Sequence, residues 1–288
     1  MPIHDFSYRH WEGQRTQRPP AWILGWTQLR LVVKRRAVKL LLIVSGLFFV
    51  AYLVMLYVET MPEDSALAVL RDIPFIRLDA ASLHVFMERQ RLIHYLLCLA
   101  AGAEFIALDR RHKALQIYLA RPLRVQDYLL GKALPLVVLL SLTTWIPALL
   151  LLVLKSVATA SLEWLRDEPW LPLSILGYGW VQIAALAPLT LAVSSLSPSP
   201  RLASGQLVAV FLLSPAIAEI LNGLTRNESW RLLSLDADLS QLCGWLFDAR
   251  LPHDVSPWSA LFVLAALAAA SYMLLLRRVR AVDVVGGA

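Results

Sequence analysis

The 288-residue chain is 58% hydrophobic and only 17% charged, with a mean hydropathy of +0.60 and a formal net charge of +6. Soluble domains average about half apolar residues, and here several runs of roughly 20 apolar residues have no interior large enough to hide them. They belong in lipid, where about 20 such residues cross some 30 Å of hydrocarbon. The positive charge does not indicate nucleic acid, because the basic residues flank the apolar runs and are not interleaved with aromatics on a polar face.

Residues 1–20 are polar and Arg-rich, and the first long apolar run starts only near Ala37. That pattern is not that of a cleaved signal, so the first span is expected to remain in the mature protein. Between them, residues 21–36 place Trp22, Trp26, Leu29 and Val33 on one helical face and Gln28, Arg30 and Lys34 on the others. This predicts an amphipathic elbow helix lying in the membrane interface with its tryptophans at headgroup depth. An ordinary basic flank of the first span is the alternative.

Six spans follow, at about 37–58, 91–108, 129–154, 171–194, 203–224 and 257–276, giving an all-α integral membrane protein. The domain division is an N-terminal segment with the elbow (1–36), a six-helix transmembrane domain (37–276) and a C-terminal tail (277–288). His94 and Glu104 interrupt the second span; His94 reads as an interhelical hydrogen-bonding group. Pro135, Pro147, Pro188 and Pro215 lie inside spans and predict kinks, tolerable in lipid where neighbouring helices satisfy the freed carbonyls.

With the N-terminus inside, cytoplasmic segments hold 18 of the 27 Lys and Arg, while 15 of the 21 acids fall at or beyond the outer face. Both termini are therefore expected in the cytosol of a cytoplasmic-membrane protein. Arg89 and Arg91, at the outer start of the second span, go against this trend. Residues 59–90 are long enough for an external helix, beginning near Asp79 and continuous with the second span. In residues 225–256, Leu232, Leu235, Leu239, Leu242 and Leu246 recur at helical spacing, which leaves two readings open: a helix capping a pore, or an interfacial helix without a gating role.

The chemistry is decided first by what the sequence lacks. No G-x-x-x-x-G-K-[ST] loop is present; before Gly131-Lys132 the position requiring glycine is Gln126. This chain is therefore not expected to cradle ATP phosphates, any ATPase would be another subunit, and no cofactor is expected on this chain. The six histidines show no H-E-x-x-H or paired spacing, no metal-ligand pattern exists, and Cys98 and Cys243 read as structural. No catalytic residues are assigned. Inside the spans the polar candidates for gating are Glu104, Gln182, Gln206 and the outer-end Glu219; Glu104 lies close enough to the cytoplasmic end to pair with Arg111 or reach water.

The informative segment joins the second and third spans. Asp109 can cap a short helix whose next turns set Leu115, Tyr118 and Leu119 against Arg110, Arg111 and Lys113, and Pro122 ends it. Such a helix, wedged between two spans, is shaped to enter a groove on a soluble partner.

The order of acid, basic pair, amphipathic turn, Arg121-Pro122 and Gly131-Lys132 before an apolar span resembles the permeases of the type-2 ABC exporter family. The elbow, the six spans, the helical external segment and the closing Arg277-Arg278-Val279-Arg280 extend the likeness. The resemblance implies that residues 109–121 are a coupling helix docking on a nucleotide-binding subunit, with Asp109, Arg110, Arg111, Ala114, Leu115, Tyr118, Leu119 and Arg121 carrying the contact and Pro122 the stop. It further implies a half-transporter: two permease copies, identical or merely similar, surrounded by membrane lipid and driven by two cytosolic ATPase subunits. An ATPase-independent channel or scaffold is the alternative, and an intramembrane enzyme a more remote one, since no nucleophile, acid or ligand set converges at one depth.

Overall fold

A computed structural model describes residues 19–62, 77–112 and 124–285, and every regular element among them is helical. The described residues start with α1 (Pro20–Val33), then a tight turn into α2 (Arg36–Glu59), the first span. The second span is composite: α3 (Ala80–Leu97), a π-helical turn (Cys98–Gly102) and α4 (Ala107–Arg111), a run of 32 residues. The third is composite as well, with α5 (Val125–Thr143) and α6 (Trp145–Thr159) meeting at Thr144. A five-residue helix α7 (Glu163–Asp167) leads to α8 (Leu171–Leu196) and α9 (Pro200–Thr225), the fourth and fifth spans. A 3-10 turn (Glu228–Leu233), α10 (Leu235–Leu246) and the final α11 (Pro257–Val285) complete the chain. Six helices are long and apolar enough to cross a membrane, which is the number and order expected from the sequence.

Local sequence explains the starts and breaks. Asp79 accepts the Ser82 backbone N–H at 2.8 Å while Ser82 Oγ accepts the Asp79 N–H at 3.0 Å, a reciprocal cap that fixes the start of α3 where the external helix was expected. Of the four intraspan prolines, only Pro147 stands beside an interruption: it cannot donate to the Thr143 carbonyl four residues back, and the helix breaks at Thr144. The freed turn is stabilised by side chains, with Thr143 Oγ1 donating to the Leu139 carbonyl at 2.9 Å and Thr144 Oγ1 to that of Leu140. Pro135, Pro188 and Pro215 sit within continuous helices.

The spans are unequally enclosed. More than half of the central window of the second, third and fourth spans is buried, against 17% for the first and fifth and 22% for the last. The inner three are therefore the core of the subunit, and the others expose leucine, isoleucine and phenylalanine outward, as lipid or a partner helix requires.

The helix α10 lies in the segment where the leucine spacing predicts a helix. It is enclosed on more than the leucine face: Leu235, Asp238, Leu239, Ser240, Gln241, Leu242 and Cys243 are all buried among α3, α8, α9 and α11. Ser234 caps it, so Leu232 belongs to the preceding 3-10 turn. Arg91 anchors it from α3, with Nε 2.7 Å from Asp236 Oδ1 and Nη2 2.7 Å from Ser240 Oγ; Tyr95 OH adds a 3.1 Å bond to Asp236. Glu88 stands 3.6 Å from the same guanidinium. The arginine that opposed the charge count is thus neutralised within its own bundle end.

Burial pushes the Asp238 carboxyl up to about 8. A folded-state value above the unfolded one, about 3.9, means that the folded state holds an extra proton in between, so stability is full below about pH 4 and declines as pH rises to about 8. Thermal unfolding of Asp238→Asn is therefore expected to lose less stability than the wild type over that window; parallel profiles would show that the carboxyl ionises freely.

Candidate functional site

The end of the bundle bearing α1 gathers most of the residues singled out from sequence. Its geometry starts with two glycines. A Cβ on Gly131 would lie 2.8 Å from Leu24 Cδ2 and 3.0 Å from the Ala21 carbonyl; one on Gly25 would lie 2.9 Å from Leu134 Cβ and 3.0 Å from the Gly131 carbonyl. Without side chains at these points, α1 and α5 meet backbone to backbone, the kind of small-residue crossing that membrane helices use to pack closely.

That approach sets Gln28 over Lys132. The Lys132 ammonium, 2% exposed, donates to Gln28 Oε1 at 2.9 Å and lies 2.7 Å from Asp109 Oδ2. Tyr128, one turn before Lys132 on the same face, donates to that Asp109 oxygen at 2.8 Å and presents its ring to the ammonium, 5.6 Å from the centroid. Three separate stretches, α1, α4 and α5, therefore share one buried cation. Asp109 is the third residue of α4, and its carboxylate is occupied by Lys132 and Tyr128; it does not serve as the helix cap expected from sequence.

The second span reaches this cluster through a break whose free backbone groups are met by α8. Ser194 Oγ accepts the N–H groups of Ile106 and Ala107, both at 3.0 Å, and donates to the Ala103 carbonyl at 2.7 Å. Arg110 donates to the Ser195 carbonyl. A Cβ on Gly102 would fall 2.4 Å from Thr190 Cγ2, so only glycine lets the π turn lie against α8. Glu104 pairs with Arg35 at 2.9 Å, and the same guanidinium donates to the Ala100 carbonyl at 3.1 Å. The partner suggested from sequence, Arg111, is exposed instead. Arg35 stands at the N-cap position of α2, so Glu104 ties the second span to the α1–α2 corner while Asp109 ties it to α5.

The α1 helix differs from its expected face. Trp22 and Trp26 are outward and stacked at 5.8 Å, with Arg30 5.5 Å above the Trp26 ring, and Val33 and Lys34 are exposed. Leu29 instead joins Gly25 and Val32 on the buried face against α5. The helix has a protein-facing stripe that the apolar spacing merged with its outward one.

The remaining gating candidates do not converge. Gln182 is fully buried in α8, and neither of its amide atoms has a hydrogen-bond partner. Gln206 accepts from Ser197 Oγ at 2.5 Å in the α8–α9 connection. Glu219, largely exposed, pairs with Arg231 at 3.2 Å at the opposite end. Cys98 and Cys243 are buried and unbridged. The residues Ala114, Leu115, Tyr118, Leu119, Arg121 and Pro122 lie outside the described residues. The Asp109–Tyr128 bond brings together the two sides from which that segment departs and returns. Sequence reasoning missed Gln28, Tyr128, Arg35 and Ser194. The available signals were Tyr128 and Lys132 at i, i+4 and a serine pair closing the fourth span.

The family described as ABC-2 family transporter protein matches residues 25–230, from within α1 to the turn before α10. No curated protein matches the chain significantly.

Removing the cation tests the junction. Lys132→Met leaves the partly buried Asp109 carboxylate without its ion partner and is expected to destabilise the protein by about 3 kcal/mol, the lower end of the cost of breaking a buried pair. Adding Asp109→Asn should restore part of that loss in a double-mutant cycle followed by thermal unfolding. Additive losses would show that the two groups do not interact.

Proposed function

Because the chain belongs to the ABC-2 family of transporter proteins, a family of membrane transport components that are not themselves catalytic, we propose that it is the membrane-spanning half of an exporter driven by a separate ATP-hydrolysing subunit. The observation that supports this best is the junction at Lys132. The segment carrying the expected coupling helix is flanked by Asp109 and Tyr128, and these touch each other and the cation that also holds α1. A push on that segment from a soluble partner acts at once on the second span, the third span and the elbow. ATP and Mg belong to that partner, which is present in two copies.

The Lys and Arg distribution supports placing the α1 end, and with it both termini, in the cytosol of a cytoplasmic membrane. The second permease copy, identical or similar, would cover the first and fifth spans, whose apolar faces are the least enclosed. A pathway at that interface would be lined by few charges, which suits lipid-like, amphipathic or peptide cargo better than bare ions.

The docking face is Leu115, Tyr118 and Leu119. Each fully buried side chain contributes about 1.5–3 kcal/mol, so Leu115→Asp with Tyr118→Asp is expected to abolish copurification of the ATPase subunit and transport while membrane insertion stays near normal. Trp22→Asp with Trp26→Asp serves as control, since it alters the outward face of α1 without touching the loop. Equal retention of the ATPase by the loop variant and the wild type would remove the coupling assignment. Orientation is read from cysteine labelling at Ser7 and Ser229 on a cysteine-free background; Ser7→Cys labelled only from outside intact cells would invert it.

A further inference from the structure

A groove of about 440 Å³ opens on the flank of the subunit between α5 and α11, with α8 as its floor. On α5 it runs from Gln126 to Val137 and on α8 from Trp180 to Leu191. Each stretch is eleven helical steps, about 16 Å at 1.5 Å per residue, close to half of a hydrocarbon core about 30 Å thick. The groove therefore has the depth of one leaflet, the leaflet on the α1 side. Small side chains make it a channel: Ala133 on α5 and Ala184 and Ala187 on α8 open the space, and Pro188 adds no donor to it. Trp180, stacked on Trp145 with centroids 6.4 Å apart, stands at the mid-membrane end.

Polarity is confined to the other end. Gln126 lies in the first turn of α5, two residues after Arg124 at its N-cap position, and on α11 the lining positions Tyr272 and Leu275 are followed one turn later on the same face by Arg278, with Arg277 beside it. Arg124, Arg277 and Arg278 are all exposed. Asp127 is the acid adjacent to this mouth, so positive charge predominates there. An apolar slot one leaflet deep, with Trp180 at its mid-membrane end and Arg124, Arg277 and Arg278 next in sequence to its other end, matches an acyl chain joined to an anionic head. We infer that the groove holds an acyl chain of an anionic phospholipid from the leaflet on the α1 side, bound as a resident ligand and separate from any cargo pathway along the first and fifth spans. The chain fills the space between α5 and α11, and the phosphate is held by Arg124, Arg277 and Arg278. This inference requires only that the chain sits in a bilayer and stands apart from the ATPase partnership.

The test uses the full chain, without any ATPase subunit, in phosphatidylcholine nanodiscs doped with a phospholipid carrying a photoreactive group on its acyl chain, either as phosphatidylglycerol or as phosphatidylcholine. After illumination, labelled peptides are mapped. Peptides of α5, α8 and α11 lining the groove should be labelled more strongly than those of the first span, and more by the anionic probe than by the neutral one. Arg278→Gln should lower that preference by about fivefold, the equivalent of roughly 1 kcal/mol for one basic residue near the surface. Ala133→Phe with Ala184→Phe, which fills the slot, should reduce groove labelling to the first-span level while first-span labelling is unchanged. Groove labelling equal to that of the first span, or no preference for the anionic probe in the wild type, would overturn the inference even if the filled variant failed to fold. So would a groove that excludes both probes because a helix of another polypeptide occupies it.

Discussion

An ammonium group taken out of water has to keep an acid beside it, and the arrangement of the α1 end depends on that requirement at Lys132. The cation cannot be reached by water, so Asp109 and Gln28 have to stay within hydrogen-bonding distance. Each belongs to a different stretch of chain, and their positions are thereby tied to one another. Apolar packing alone would leave α1 free to slide along α5. The pair at Lys132, together with the Glu104–Arg35 pair at the far end of α1, converts a greasy contact into a registered one.

The same physical rule shapes the interior. In lipid, a helix can break only where other groups take over its backbone hydrogen bonds. The second span breaks opposite Ser194, whose single hydroxyl accepts two amides and donates to a carbonyl. The third breaks at Thr144, where two threonine hydroxyls return to carbonyls one turn earlier. Both interruptions lie in the enclosed helices of the subunit, and the outward first span runs straight through.

Much of this was legible in the sequence, because the bilayer imposes lengths. Twenty apolar residues announce a span whatever they pack against, so span number and order followed from composition, and the external start of the second helix was placed near Asp79. The pairing of charges was not legible in the same way. Glu104 has basic residues nearby in sequence, yet its partner is 69 positions away at Arg35, brought there by the fold of α1 against α5. Similarly, the leucine spacing of α10 identified a helix, but Asp236 and Ser240 on its other side gained their meaning only once Arg91 was seen to face them. Periodicity reports that a helix has an apolar side; it does not report how many neighbours surround it. The Trp22–Trp26 stripe and the Leu29 stripe of α1 merged for that reason.

The backbone contact at Gly25 and Gly131 has a mechanical meaning. Side chains between two helices act as a soft layer, since rotamers can shift and absorb a small displacement. At this crossing that layer is absent, and carbonyl oxygens bear almost directly on the opposite helix. A tilt of α5 is therefore carried into α1 with little slack, and the crossing behaves as a hard fulcrum with the tryptophan-bearing arm of α1 on one side and the long apolar shaft of α5 on the other.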